Sequence, residues 1–597
     1  MSTTSPMKSV CVPRGCGVCQ FELQLGERIV AVRRSGAELS QSFENSLMGF
    51  VDTAQDIEFI QCFTKCHHDE QRDGCHADCI AISSNATLHT VLKATAPAFE
   101  PPMIVEKRRI RWFTLRLAGI LETATRHVLH LPEDVRHNIA SWALDSHTTR
   151  RRLAIDYSNK ICAGRTSVVR SVKISEKIYA RHVEFEGVQY IACLTNAASN
   201  EKDVLLFDPT LPSSIDSLYV ASDHLGVRQI SFADSSEQGT IQQAADVWWR
   251  AVKLETLGGL VRVSGDGLKL RSLEGASAAL PKVSWGFPQI PPGRFRVESI
   301  CNAEPSYRMS AVSCNDPQTT AYSLCWKREI VMLHAHQAQE DLDFYQGVRA
   351  TGEAALWQYM PLHSDEVLTE IWKLNGPLRS AIALLFVTNR GRSELLGLQP
   401  MPNWSHSEWT LLDLPSKTTS RIYAETTTFG IPRLGFETCR PESQGRSPKV
   451  EWPSSPYPIS RPHEYFAWNK ANLNSVVEIT PCRRRSRGRT ITIGLLLHYV
   501  DGTTAACVGQ IKLDCLAKPF RVDPARKLWL GFWLTENGPS VLRVLLCQEQ
   551  PTPVDCDGWF GVDWCDDLEW WYSNRQCRLS RQGRLSPETT ELGRSIC

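Results

Sequence analysis

Hydrophobic spacing changes character along the chain. Residues 129–144, LHLPEDVRHNIASWAL, place Val135, Ile139, Trp142 and Ala143 at i, i+4, i+7 and i+8, the stripe of one helix face. Pro132 followed by Glu133 and Asp134 suits the first helical turn, because proline presets φ and the acids complement the positive end of the helix dipole. Beyond about residue 165 the runs shorten. YARHVEFEGVQYIACL, SLYVASDHLGVRQISF and LVRVSGDGLKLRSL alternate apolar and polar positions between Gly, Asp and Asn turns, and this strand-and-turn rhythm continues almost to the C-terminus.

These patterns predict a multi-domain, mainly β protein. Residues 1–80 form a small α+β module rich in cysteine and histidine, and 81–104 is a polar linker with prolines near its end. Residues 105–164 are a short helical segment. Three β-rich regions follow over 165–295, 296–445 and a Trp-rich 446–597, as two or three sandwich or prism-like domains. The boundaries fall at SWGFPQIPPGRF and at the Pro/Ser-rich CRPESQGRSPKVEWPSSPYPISRP. An internal repeat relates 365–400 to 473–511: Ile382, Leu384, Leu385 and Gly391 share one offset with Ile493, Leu495, Leu496 and Gly502. Each segment reads as a buried strand, a turn that needs glycine for positive φ, and a return strand.

Composition narrows the function classes. Over 597 residues, 66 Lys+Arg balance 65 Asp+Glu, so no global field favours nucleic acid or an anionic membrane. The Arg-rich CRRRSRGR (Arg483, Arg484, Arg485, Arg487, Arg489) sits in the variable loop of the repeat and reads as a solvated charged loop. The longest apolar runs, SAIALLFV and TIGLLLHYV, are strand-length and cannot span a bilayer. An odd count of 21 cysteines without a secretory signal points to a reducing intracellular compartment, cytoplasmic or nuclear.

In such a compartment clustered cysteines favour metal. Cys16-Gly-Val-Cys19 and His76-Ala-Asp-Cys79 are two ligand pairs with the bite that tetrahedral zinc takes, and Cys16, Cys19, His76 and Cys79 make the most economical set. A second ion would use Cys62 and Cys66. The arrangement resembles the treble-clef zinc modules, in which a Cys-x2-Cys knuckle is completed by a distant pair at the start of a helix. The eight-ligand order of a RING domain is not spelled, so ligase activity is not implied.

The helical stripe carries a second resemblance. Leu131, Pro132, Val135, Ile139 and Leu144 match the opening of an F-box. That resemblance implies docking of Leu131, Pro132, Val135 and Ile139 on a Skp-type adaptor of a cullin ubiquitin ligase. Together with HVEFEGVQYIACLTN, DHLGVRQISF and the Trp-rich end, it makes the chain similar to large F-box-like proteins of filamentous fungi. The stretch DEVLTEIWKLNGPLRSAIALLFVTNRGR, with Phe386, Thr388, Asn389 and Gly391, resembles the hairpin of jacalin-related β-prism lectins. Carbohydrate is therefore the alternative ligand, with Trp564, Trp570 and Trp571 as stacking surfaces.

No nucleophile elbow, HExxH or phosphate loop with its Lys-Ser/Thr is present in the sequence. His334 and His336 share one face of a strand, with no third ligand evident beside them in the sequence, and read as ordinary histidines. The expected role is a non-enzymatic substrate-recognition or scaffold protein.

Overall fold

The computed structural model describes residues 8–587 except 34–38, 47–48, 54–55, 62–69, 83–84, 126–130, 145, 212–213, 236–240, 242–245, 276–281, 290, 292–294, 302–304, 349–354, 377–380, 403–407, 428–429, 440, 442–446, 501, 503–504 and 553–554. The protein is mainly β and multi-domain. The chain divides into two compact units, Met1–Ile290 and Pro291–Cys597.

The first unit opens with seven short strands: β1 (Lys8–Val12), β2 (Arg28–Val32), β3 (Phe43–Glu44), β4 (Phe50–Asp52), β5 (Ile57–Gln61), β6 (Glu70–Gln71) and β7 (Asp73–His76). β1 runs parallel between β5 and β6, and β2 is antiparallel to β3 and β7. Five helices follow among the described residues: α1 (Ala77–Ile82), α2 (Asn85–Thr95), α3 (Met103–Thr125), α4 (Glu133–Leu144) and α5 (His147–Cys162). α2 lies within the 81–104 stretch that the sequence presents as a linker. Its polarity misleads because only one face is apolar: Val91, Leu92 and Ala94 are buried while His89 and Lys93 face solvent.

On α4 the apolar stripe read from the sequence lies on the outer face. The inward face is made by Ala140 and Leu144, whereas Val135, Ile139 and Trp142 point outward, Trp142 being 80% exposed.

The β body of this unit comprises β8 (Val168–Lys173), β9 (Ile178–Phe185), β10 (Val188–Thr195), β11 (Val204–Phe207), β12 (Ser217–Ser222), β13 (Val227–Ala233), β14 (Trp248–Lys253), β15 (Leu260–Gly265), β16 (Leu270–Gly275) and β17 (Ser284–Trp285). Three sets of strands share one plan, a hairpin whose first strand takes a third partner: β10-β9-β11, β13-β12-β14 (which continues to β17) and β16-β15-β8. Apolar alternate residues such as Ala180, Val220 and Val263 meet in a common interior. The hairpin ends are built alike. Asp223 accepts from the amides of Leu225 (2.8 Å) and Gly226 (3.1 Å), and Asp266 accepts from those of Leu268 and Lys269 (2.9 Å each).

These ends are anchored to the helices and to the N-terminal module. Leu225, Leu268 and Val188 belong to one core cluster with Val10, Val18, Phe59 and Val91. Lys269 donates to the Ala94 carbonyl, and the Ala98 amide donates to the His224 carbonyl at 2.7 Å. The module therefore has no separate core. Its apolar residues and those of the β body are buried in common.

The second unit contains two halves. The first has β18 (Arg296–Ser299), β19 (Arg308–Cys314), β20 (Thr319–Lys327), β21 (Glu329–Gln337), β22 (Leu356–Pro361), β23 (Leu368–Asn375), β24 (Ala381–Thr388), β25 (Ser393–Gly397), β26 (Glu408–Asp413), β27 (Ser420–Glu425) and β28 (Arg433–Phe436). The second has β29 (Ala467–Asn472), β30 (Val476–Ser486), β31 (Arg489–Tyr499), β32 (Ala505–Gly509), β33 (Phe520–Arg521), β34 (Lys527–Thr535), β35 (Gly538–Cys547), β36 (Gly558–Val562), β37 (Asp567–Tyr572), β38 (Cys577–Arg581) and β39 (Arg584–Ser586). Each half sets three groups of paired strands around an apolar core, a prism-like arrangement, and Leu356 and Leu398 of the first half join the core of the second.

The repeat seen in the sequence is a repeat of pairing. The order β25-β24-β23-β26 has its counterpart in β32-β31-β30-β33. Ladders agree residue by residue: Ile371 pairs with Phe386 as Ile479 pairs with Leu497, and a register shift follows Leu368 as another follows Val476. Gly397 and Gly509 both have positive φ. A Cβ at either would lie 2.4 Å from the Ile382 or Ile493 carbonyl oxygen, so only glycine fits. The correspondence extends beyond the matched sequence. β22 pairs with β20, and β20 with β21, as β29 pairs with β37, and β37 with β38. β19 and β36 occupy matching places beside β27 and β34. The strands that open the first half close the second, so the two halves are cyclic permutations of one strand order.

Candidate metal centre

The first ligand pair sits in a tight turn after β1. The Gln20 amide donates to the Cys16 carbonyl (2.7 Å), and the Cys16 amide to the Phe21 carbonyl (2.9 Å), which aims both sulfurs into the module. Glycine suits position 17 between them: a Cβ there would crowd Leu92 at 2.9 Å and Asp73 at 3.0 Å. The second pair straddles the passage from β7 to α1, with His76 ending the strand and Cys79 in the first helical turn.

These elements bring four side chains to one point. The sulfurs of Cys16, Cys19 and Cys79 and a ring nitrogen of His76 lie within 4.8 Å of one another, all buried. His76 Nδ1 is 3.5 Å from the Cys19 sulfur and 3.6 Å from that of Cys79. Two ligand atoms each bound to one ion at about 2.0–2.3 Å stand roughly 3.5 Å apart at the tetrahedral angle. The cluster can hold a metal ion.

The thiols are electrostatically interdependent. Burial opposes ionisation of Cys16, but hydrogen bonds from Cys19, Cys75, Cys79 and His76 hold it well below the usual thiol range. Burial pushes Cys19 up, and the Cys16 sulfur does the same to Cys75 and Cys79. One thiolate is favoured and its neighbours resist following it, the condition that a bound cation relieves.

A second layer of residues, which the sequence did not disclose, orients the first. His76 Nε2 is 3.2 Å from the Glu27 carboxylate and 3.3 Å from the Glu22 carbonyl, which leaves Nδ1 to face the sulfurs. Glu27 is itself held by Arg151 of α5 and by the Gln24 amide (2.9 Å). Although burial works against it, these contacts keep the Glu27 carboxyl below its ordinary range. On the other side, Arg109 of α3 donates to the Cys19 carbonyl (2.8 Å), forks onto Glu186 of the β9–β10 turn, and stacks 4.6 Å over the Phe21 ring. Helices and β body thus both grip the knuckle.

Cys62 and Cys66, the expected ligands of a second ion, lie outside the described residues. In the helical segment, Pro132, Val135 and Ile139 are exposed and Leu131 is half-buried, its carbonyl accepting from Arg136 at 3.1 Å. Two of the three tryptophans offered as stacking surfaces are corrected. Trp570 and Trp571 are 0% and 2% exposed, because β37 turns both of its faces into packed layers, and neither presents a ring to a ligand. Trp564 is half-buried and donates to the Arg526 carbonyl (2.5 Å).

No family model matches the chain, and no curated protein does. Among solved structures, the crystal structure of lamprey immune protein is similar at 10% identity, over 49% of this chain and 91% of that one, with a TM-score of 0.16. So slight a likeness bears on neither fold nor function. Among the described residues no helix is long and apolar enough to cross a membrane.

Proposed function

We propose that this protein is a non-enzymatic intracellular substrate-recognition or scaffold subunit. In this reading zinc fills the Cys16–Cys19–His76–Cys79 cluster, and α4 is presented to a Skp-type adaptor of a cullin ubiquitin ligase. The choice of zinc rests on the donor set: three thiols and one imidazole, buried and within 4.8 Å of one another, suit a structural zinc ion. The interaction role rests on one observation. Val135, Ile139 and Trp142 form an apolar stripe on the outer face of α4, and a tryptophan 80% exposed is a costly feature that a partner would repay.

The test is co-purification with a tagged Skp-type adaptor. The wild-type chain should form a stoichiometric complex, and Trp142→Asp should lose it while keeping its circular dichroism, since the side chain packs on little else. Absence of any complex with the wild-type chain would remove the adaptor reading.

A carbohydrate-binding role is the second reading, favoured by the prism-like halves of the second unit. Glycan-array binding by the full chain would support it. With Trp570 and Trp571 committed to the core, a sugar site would lie at strand-end loops instead.

A further inference from the structure

His334 and His336 alternate along β21 and so fall on one face. Just past the strand the chain reverses, with Gln339 at φ 62°, and returns Glu340 beneath both rings. Its Oε2 is 2.8 Å from His334 Nε2, and its Oε1 meets His336 Nδ1. All three ligand atoms lie within 4.8 Å of one another.

We propose that His334, His336 and Glu340 form a second metal site, one that takes a divalent first-row transition ion and leaves coordination positions open to exchangeable ligands. Two imidazoles and one carboxylate are a borderline nitrogen–oxygen donor set, suited to zinc, nickel, cobalt or iron and chemically unlike the thiolate cluster of the first unit. Ligand atoms each about 2.1 Å from one ion stand about 3.0 Å apart at a right angle, close to the spacing between His334 and Glu340.

The surroundings support ligation. His336 Nε2 is 2.7 Å from the Ser323 hydroxyl on β20. That hydroxyl can accept from Nε2–H, the tautomer whose Nδ1 lone pair would face an ion, and it can equally donate to Nε2 when Nδ1–H bonds the Glu340 carboxylate. Phe344 stacks on His334 at 3.9 Å, and Tyr359 stands 5.2 Å from His336, so the rings are held by aromatic walls. His336 is buried, whereas His334 remains 28% exposed, which opens one side of the trio to solvent. Three protein ligands with an open side describe a site that can exchange its remaining ligands, in contrast to a closed structural one. Without metal the same atoms form hydrogen bonds to the shared carboxylate, so folding of the second unit does not depend on loading.

The experiment uses the full-length protein, stripped with a chelator under reducing conditions and titrated with Co2+. Two equivalents should bind, one with intense thiolate-to-cobalt charge transfer and one with weak visible bands alone. Glu340→Gln, which preserves shape and hydrogen bonding, and His334→Ala, at a half-exposed position, should each lose only the second equivalent. A wild-type protein that binds one equivalent, or variants that still bind two, would overturn the proposal. Should a variant fail to fold, the wild-type stoichiometry and spectrum decide alone. A hydrogen-bonded trio with no affinity for metal would shift thermal stability in these variants and leave cobalt stoichiometry unchanged.

Discussion

Glu27 determines which nitrogen His76 offers to the sulfurs. Its carboxylate takes Nε2, and Arg151 holds that carboxylate in place, so a contact on α5 reaches the thiol–imidazole cluster through two side chains. Removing such a partner typically weakens metal binding by about 10–100-fold. Glu27→Gln should do so here, read as zinc affinity in competition with a chromophoric chelator, with the Cys3His spectrum in cobalt unchanged. Cys19→Ser removes a ligand outright. It should release the ion and destabilise the first unit by several kcal/mol, because the binding energy of a structural zinc is folding energy. An expectation from sequence alone would confine the damage to residues 1–80. The shared core of Val10, Val91, Val188 and Leu268 instead spreads it through Met1–Ile290. The four clustered side chains were legible in the sequence because the chemistry of tetrahedral sites favours such spacing within each pair. Glu27 and Arg151 were not, since nothing local marks a carboxylate that meets its histidine only after β2 pairs with β7. Glu340 escaped notice for a similar reason: only the turn after β21 carries it back to the two histidines.

Elements were legible where period and punctuation agree. The hairpins of 365–400 and 473–511 announced themselves through matched apolar positions and turn glycines, and their ladders coincide. The wider permutation was hidden, because β20 precedes β22 while β37 follows β29, and no linear comparison aligns them. Equivalent polar side chains support the matched glycines: Gln358 accepts from the Gly397 amide, and Asn469 accepts from the Gly509 amide at 2.7 Å. Gln358→Leu and Asn469→Leu each strand a buried N–H group and should each cost about 1–3 kcal/mol. Denaturant unfolding measures both, and a cost near zero in either would mean that the amide finds another partner. On α4 the stripe was read correctly as a helix face, yet periodicity cannot say which face is inward. Ala140 and Leu144 are buried, while Val135, Ile139 and Trp142 are left outside.

At the scale of the whole molecule, the two units have different sources of stability. The second rests on two apolar cores built from one strand order. The first adds a thiolate–imidazole cluster whose turn is gripped by α3, and through Arg109 by the β9–β10 turn. Calorimetry of the full-length His334→Ala protein, which lacks the second set of ligands, should therefore show chelator lowering the transition of Met1–Ile290 while that of Pro291–Cys597 stays in place; equal shifts in both would contradict this division. The mainly β class and the gathering of Cys16, Cys19, His76 and Cys79 followed from composition and pattern. The common core of module, helices and β body did not, because it is made by residues that are unremarkable one at a time. The central claim is that Cys16, Cys19, His76 and Cys79 enclose zinc, and X-ray absorption at the zinc edge tests it most directly. Measured on the His334→Ala protein, which lacks the second set of ligands, the spectrum should give three sulfurs at about 2.3 Å and one nitrogen at about 2.0–2.1 Å. Protein purified without zinc, or a shell of oxygen and nitrogen alone, would contradict the account.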